Sequence, residues 1–496
     1  MINSESSKEV VILGAGPAGL TAAYVLNQSG LKSTTLEADP NSVGGISKTV
    51  DRDGFKFDIG GHRFFTKSPI VQELWRNMLP GERWLTDVNR LSRIFYRKKF
   101  FHYPLSARDA LQKLGLLEAI KCVGSYVKFK FFPIKDPKSF QDWVTNQFGK
   151  RLFEIFFKSY TEKVWGMSCS EISADWASQR IKGLSLGEAV FNSLPKFLRN
   201  LKFSKETIRT LSDKFDYPQL GPGELWENVK SDLELSGCKV NMGEAVTRIS
   251  HSNLAVTSVM SIDKSGEVRE VHGNEFISSL PIRDLINSLH PKPSSKVIEA
   301  ANSLGYRDFL TVVLVYNEEN MFLDNWIYIH DPSVYMGRIQ NFKNWSPSMV
   351  PNSSVTSLGL EYFCFEGDSL WDMSDAELIA LGTREVISVG LTNLQPYKGY
   401  VVRCKKAYPI YDDHYKENVR CIWKWVSSNL TNLQLVGRNG MHMYNNQDHS
   451  MLTGYLAAKN ILGGSHDLWS VNSSAEYHED SVLLDTTERS VPRRIV

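Results

Sequence analysis

The sequence predicts an α/β fold in which one parallel-sheet domain is assembled from three separated stretches of chain, with a mainly helical and a β-rich segment inserted between them. Three observations predict it. An apolar run, Val10 to Leu13, leads into Gly14-x-Gly16-x-x-Gly19 and a helix-compatible segment, Leu20 to Leu26. A second strand-turn-helix pattern returns near the end: Leu433 to Val436, Gly437-Arg438-Asn439-Gly440, then a helix from Gln447 to Leu462. Between them the apolar spacing reads helical over residues 66–213 and strand-like over 286–419, the change of period that separates the two element types.

The first element carries the strongest chemical signal. Gly14 permits a tight turn, Gly16 lets the backbone approach a pyrophosphate, and Gly19 lets helix and strand pack closely. The helix N-terminus points free N–H groups and a partial positive charge at the phosphates. A second apolar segment, Ser33 to Leu36, ends in Glu37, 18 residues after Gly19, where a carboxylate would grip ribose hydroxyls. A dinucleotide ligand follows. Next come a loop, Asp39 to Gly45, and a hairpin of Ser47 to Asp51 and Phe55 to Ile59 around Asp53-Gly54, a strong turn signal. The chain then reaches Gly60-Gly61-His62-Arg63.

In the helical segment the apolar spacing predicts helices over Leu111 to Tyr126 and Leu152 to Trp165. A basic, aromatic stretch, Val127 to Lys135, interrupts them and reads as a surface connection with buried aromatics. Membrane-surface contact is the less favoured alternative, because basic and aromatic residues together suit lipid headgroups. Gly223-Glu-Leu-Trp226 opens a helix to about Leu235, followed by strands at Cys238 to Asn241, Ala245 to Ile249 and Phe276 to Leu280. Leu310 to Tyr316, Trp326 to His330 and Ser354 to Phe365 are strands of the β-rich segment. The resulting division is 8–75, 214–285 and 420–465 for the nucleotide-binding domain, 76–213 for the helical insertion and 286–419 for the β-rich substrate domain, with a polar tail at 466–496.

Composition bounds the function. At 496 residues the chain holds two to four structural units. Lysine and arginine number 57 against 55 acids, with no basic run, so nucleic acid is not an expected partner. The six cysteines show no zinc or C-x-x-C spacing and read as reduced thiols, with no metal site. The N-terminus lacks an apolar signal core and no stretch is long enough for a membrane span, so a cytoplasmic location is expected.

NAD and FAD both fit residues 9–37. Three further features favour FAD. Gly44-Gly45 follows the ribose acid, where a second close approach of backbone to pyrophosphate is needed. Gly60-Gly61 would let the chain pass against a flat isoalloxazine. Gly437-Arg438, at a strand's end, can bring positive charge to the pyrophosphate from the opposite side. The fold class is therefore α/β with a discontinuous Rossmann-type FAD-binding domain and inserted helical and β-sheet substrate domains.

Gly-Ala-Gly-Pro-Ala-Gly-Leu, Glu37, Gly44-Gly45 and the closing Gly437-Arg438 resemble the FAD-dependent amine oxidase, protoporphyrinogen oxidase and carotenoid desaturase superfamily. That resemblance implies a backbone contact to adenine from the strand near Val246. A narrower series runs in order: Gly60-Gly61-His62; Trp176 to Arg180; Asn325-Trp326-Ile327-Tyr328; Arg338 and Asn344-Trp345-Ser346-Pro347; Tyr408-Pro409; Gly437-Arg438; and Tyr444-Asn445-Asn446-Gln447-Asp448-His449-Ser450. It is similar to the UDP-galactopyranose mutases, over Gly14 to about Leu462. Two departures stand out. The family usually has tyrosine where Trp345 stands, and a longer segment before Asn-Gln-Asp-His-Ser.

The mutase resemblance implies reduced FAD whose N5 attacks the anomeric carbon of a UDP-galactose-like nucleotide sugar and expels the diphosphate; the sugar then recloses with the other ring size. There is no net redox change, so NADPH or another reductant would only prime the enzyme. Arg180 and Arg338 are carried over as holders of the diphosphate, a task that suits a planar, permanently charged fork, with Tyr408 and Tyr444 as hydroxyl donors. Asn446, Gln447 and Ser450 are carried over as cofactor contacts. Trp326 and Tyr328 lie two apart and share a strand face, to stack a base or sugar or to fill a core. His62 either sits by the flavin N5, holding the reduced state, or is structural; His442 and His449 read as structural. The competing reading is an FAD-dependent oxidoreductase of the amine oxidase or protoporphyrinogen oxidase type, acting on an amine or apolar substrate.

Overall fold

The computed structural model describes residues 8–103, 107–174, 176 and 214–472. Its central element is a five-stranded, wholly parallel sheet with spatial order Leu433–Leu435, Glu275–Ser278, Val10–Leu13 (β1), Ser33–Glu37 (β2) and Lys239–Met242. The beginning, middle and end of the chain thus meet in one sheet. All four residues of β1 are buried, as expected for a strand covered on both faces. Helix α1, Pro17–Gln28, packs against the closing helix Gln447–Ile461. A Cβ on Gly454 would lie 2.1 Å from the Ala18 carbonyl oxygen, so glycine sets that approach.

The second layer is a seven-stranded sheet ordered Lys398–Pro409, Tyr306–Tyr316, Thr356–Cys364, Arg338–Asn341, Trp326–Ile329, Ser92–Tyr96 and Lys99–His102. The last two strands belong to the segment read from sequence as mainly helical, and they join the substrate sheet through Trp326–Ile329. Their turn explains the difference: Arg97 and Lys98 both have positive φ, 48° and 59°, the geometry that Asn-Gly or Asp-Gly would have signalled. Asp53-Gly54, with φ of 53° and 81°, makes the expected hairpin turn between Thr49–Arg52 and Phe55–Asp58.

The helical layer also differs in detail. Gly115, at φ 90°, divides the expected Leu111–Tyr126 helix into Ala107–Leu114 and Leu116–Phe131. The stretch Val127 to Lys135 is therefore the end of a helix rather than an interruption, and Phe131 and Phe132 are exposed, not buried. Phe153–Lys158 is π-helical and continues into Ser159–Trp165; such π segments are frequent at functional sites. All six cysteines are free thiols, and no described helix is long and apolar enough to cross a membrane.

Candidate active site

The glycine segments converge at the N-terminus of α1. Gly14 adopts φ 97°, and its N–H donates to the Leu36 carbonyl at 2.8 Å. A Cβ on Gly19 would lie 2.0 Å from the Gly14 carbonyl oxygen, which requires glycine for this strand–helix contact. Gly16, by contrast, has nothing within 4 Å of its Cβ position, and it precedes α1 without a side-chain cap. The first turn of the helix thus has no side-chain cap, and space is open beside Gly16. Gly44 donates to the Ala15 carbonyl at 2.8 Å, and a Cβ on Gly45 would sit 3.5 Å from Gly16 Cα. Gly437 approaches from the other side, its Cβ position 3.2 Å from Ala18 Cβ, and its N–H donates to Thr453 Oγ1 at 3.0 Å.

Glu37 stands at the end of β2. Its carboxylate accepts from the Ala15 N–H at 2.7 Å and the Asp39 N–H at 2.8 Å. Burial raises its pKa, while those two N–H groups pull it back. The Glu37 carbonyl accepts from the Glu244 N–H at 2.8 Å, which brings Val246, on the strand Ala245–Ser252, beside the acid's strand.

A cavity of about 340 Å³ opens between this domain, the helical layer and the seven-stranded sheet. It gathers Gly61, His62, Trp326, Tyr328, Arg338, Tyr408, Arg438, Tyr444, Asn446 and Gln447. Ser450 is buried one turn into the closing helix. Arg180 lies outside the described residues; Trp176, four positions earlier, lines the cavity.

Three polar atoms converge beside Gly60. Arg338 Nη2, His62 Nε2 and Tyr408 Oη lie 3.8, 3.9 and 3.9 Å from the point a Gly60 Cβ would occupy. Arg338 is held by the fully buried Glu361, Nε donating to Oε2 at 2.6 Å. Burial alone would lower the arginine's pKa, but Glu361 reverses the shift and the guanidinium stays charged. His62 is neutral. Burial takes its pKa to about 4, opposed by the Ile59 carbonyl and reinforced by Arg438 and Arg338. Its Nε2 lies 2.9 Å from the Ile59 carbonyl, and the Ile46 backbone also bonds the ring, so backbone contacts fix the ring's orientation.

Tyr408 and Tyr444 stack at 5.6 Å, and Arg438 lies 5.3 and 4.9 Å from their ring centres. Arg438 donates to the backbone carbonyls of Asn445 and Ala407 at 2.8 and 3.2 Å. Trp326 stacks on Trp345 at 5.2 Å, and Trp345 Nε1 donates to the Asn325 carbonyl at 3.1 Å. The tryptophan that departs from the mutase pattern is thus a fixed wall under Gly61, 3.3 Å from its Cβ position. Tyr328 meets Tyr103 and Tyr160, at 4.7 and 5.5 Å. His442 and His449 are structural: the first bonds the Ile410 carbonyl, and the second accepts from the Asn446 N–H at the start of the closing helix.

Several lining residues were not singled out from sequence. Tyr160 and Trp165 come from the helix after the π segment, and Phe156 and Phe157 from the segment itself. Arg63 stands 5.5 Å over the Trp326 ring. Only its place after Gly60-Gly61-His62 could have flagged it. Glu361 sits 23 residues after Arg338, and nothing local marks it.

Residues 17–461 match the family of flavin containing amine oxidoreductases. The chain belongs to this family. Within it, coproporphyrinogen III oxidase from Staphylococcus aureus is 22% identical over 460 residues, covering 87% of this chain and 94% of that protein. A probable UDP-galactopyranose mutase from Klebsiella pneumoniae is 26% identical over 172 residues, 34% of this chain and 44% of that one. Among solved structures, reduced UDP-galactopyranose mutase superposes with a TM-score of 0.79 at 22% identity, covering 94% of this chain and 98% of that chain. A putative protoporphyrinogen oxidase from Exiguobacterium gives 0.68 at 16% identity, covering 92% and 98%. The family's flavin fits this chain. Gly16 and Gly45 leave a side-chain-free cradle at an uncapped helix N-terminus. Both amide atoms of Gln447, buried against the cavity, have no protein partner among the described residues.

Proposed function

We propose that this family member is a flavin-dependent pyranose–furanose mutase acting on a nucleotide-diphosphate sugar of the UDP-galactose kind. The observation that carries the reading is the convergence of Arg338 Nη2 and Tyr408 Oη, with the His62 ring beside them, on one point next to Gly60. A departing diphosphate concentrates negative charge, and donors fixed in advance stabilise that charge without reorganising. Arg338, held by Glu361, supplies a permanently charged fork, Tyr408 and Tyr444 supply hydroxyl donors, and Trp326 and Tyr328 bound the space for base or sugar. Bound reduced FAD supplies the nucleophile for the anomeric carbon. Gly14, Gly16, Gly44 and Gly45 would hold its pyrophosphate, Glu37 its ribose, the backbone near Val246 its adenine, and Gly61, Arg438, Asn446, Gln447 and Ser450 the rest. His62, neutral across the physiological range, takes no proton from solvent near pH 7 and serves to orient. The reductant comes from outside this chain, NADPH being one candidate.

A second reading is an oxidoreductase on an apolar or porphyrinogen-like substrate, favoured by the aromatic wall of Phe140, Phe156, Phe157 and Trp165 and by the full-length similarity to coproporphyrinogen III oxidase. An amine substrate is disfavoured by charge. The described lining holds three guanidinium groups, Arg63, Arg338 and Arg438, and one carboxylate, Asp448, with Glu361 paired behind Arg338; the balance of these groups is still positive, which favours anions. Thermal shift against a panel of nucleotide sugars separates the readings, since a ligand that binds only the folded state raises its melting temperature. Stabilisation by nucleotide diphosphate sugars supports the mutase; none from any of them contradicts it.

A further inference from the structure

The helix Leu116–Phe131 turns an apolar stripe to solvent. Leu116, Leu117, Ile120, Val127 and Phe131 are 77, 76, 59, 45 and 71% exposed, and Phe132, just beyond, is 76% exposed. With Gly124 they fall within an arc of about 100° at 3.6 residues per turn. Exposed lysines border the arc, Lys121 and Lys128 on one side and Lys130 on the other.

The opposite face is anchored, so the stripe cannot rotate inward. Arg151 donates to Glu118 Oε2 from Nε and Nη2 at 2.9 and 2.7 Å, and its N–H donates to Ser125 Oγ at 3.1 Å. A Cβ on Gly149 would lie 2.6 Å from Tyr126 N, which shows how closely the neighbouring helix is docked. Cys122, 1% exposed, enters the core of the helical layer. Beyond the helix, Asn146 clamps Ile134 with paired hydrogen bonds of 2.8 and 2.9 Å.

We propose that this stripe docks the protein on an anionic lipid surface, the helix lying in the interface plane. Apolar side chains enter the boundary between headgroups and acyl chains while the flanking lysines reach lipid phosphates. Charge selects this occupant over a second copy. A two-fold contact through the stripe would bring lysines against lysines, and the helix's one acid, Glu118, is already paired with Arg151 and Lys121.

The test is co-sedimentation of the full-length flavoprotein with phosphatidylcholine vesicles, with and without phosphatidylglycerol. Binding is expected only with the anionic lipid and should fall as salt rises. The triple variant Lys121→Gln, Lys128→Gln, Lys130→Gln should lose on the order of 100-fold in partitioning, about fivefold per lysine. Leu117→Ser with Phe131→Ser should also abolish binding, with flavin absorbance and circular dichroism unchanged. Phe131→Trp should shift its emission to the blue on anionic vesicles. Equal, weak partitioning to both vesicle types would overturn the proposal. So would a dimer in analytical ultracentrifugation that the Leu117→Ser/Phe131→Ser variant dissolves without any vesicle binding by the parent.

Discussion

Arg338 and Glu361 face each other across adjacent antiparallel strands, and one carboxylate oxygen, Glu361 Oε2, lies 2.6 Å from both Nε and Nη2 of the guanidinium. The other oxygen accepts from Gln340 Nε2 at 2.6 Å. The carboxylate therefore fixes the direction in which the arginine's remaining donors point. Glu361→Gln keeps the shape and removes the charge. It should weaken binding of a nucleoside diphosphate about tenfold, since a charge-assisted bond contributes roughly 1.5–3 kcal/mol, and leave flavin content unchanged. Glu361→Ala should in addition destabilise the fold by about 3–5 kcal/mol, because a buried guanidinium loses its partner. Calorimetric titration and chemical unfolding read the two effects separately.

Arg338→Lys tests the need for a fork rather than a charge. Lysine offers a point charge on a flexible stem and cannot bind a carboxylate and a phosphate in one plane. The expected outcome is a larger fall in kcat than rise in KM; equal kinetics for lysine and arginine would show that charge alone suffices.

The stacked pair Tyr408 and Tyr444 separates hydroxyl donation from ring packing. Phenylalanine keeps the 5.6 Å stack and removes the oxygen. Each single change should lower kcat/KM about 5- to 10-fold, the effect of one neutral hydrogen bond of about 1 kcal/mol. Alanine at either position should cost more, through loss of support for Arg438.

Two glycines of one motif should fail differently. Gly19→Ala puts a methyl 2.0 Å from a backbone oxygen and should impair folding, visible as insoluble or thermally weakened protein. Gly16→Ala meets nothing in the protein within 4 Å, so it should fold normally yet lose flavin. A folded Gly16→Ala variant with full flavin occupancy would remove the pyrophosphate from that position.

Acid should destabilise the fold through three buried, neutral histidines. Burial pushes His62 and His442 to about 4 and His330 to about 3, from an ordinary 6.5. Below 6.5 the unfolded chain takes up protons that the folded chain refuses until about pH 4. The histidine contribution is thus complete above 6.5 and falls as pH drops through that window, while the buried Asp58, raised to about 7, contributes with the opposite sign. Urea midpoints at about pH 7 and about pH 5 measure the slope, and His62→Gln should make it shallower.

The nucleotide-binding half was legible because its determinants are local. Gly14, Gly16, Gly19 and Glu37 act through turns and one strand end, so their spacing reports their geometry. His62, Trp326, Tyr328, Arg338, Tyr408 and Tyr444 were singled out through motif order, and the fold gathers them around one cavity. Glu361 was missed because cross-strand register, not sequence distance, pairs it with Arg338. Tyr160 and Phe156 were missed because a π segment reorients a helix whose periodicity looks ordinary. Ser92–Tyr96 and Lys99–His102 were missed because Arg97-Lys98 makes a turn usually signalled by glycine. Phe131 and Phe132 were placed inside on hydrophobicity alone, whereas the docked face of their helix is set by Cys122 and the Arg151–Glu118 pair.

The most direct test of the mutase account is anaerobic incubation of the dithionite-reduced and the oxidised enzyme with UDP-galactose and other nucleotide sugars, with chromatography of the ring forms. The account predicts pyranose–furanose interconversion by the reduced enzyme alone, with no net consumption of reductant. Oxidation of a porphyrinogen or amine by the oxidised enzyme in air, with peroxide released and no ring isomerisation of any nucleotide sugar, would contradict it.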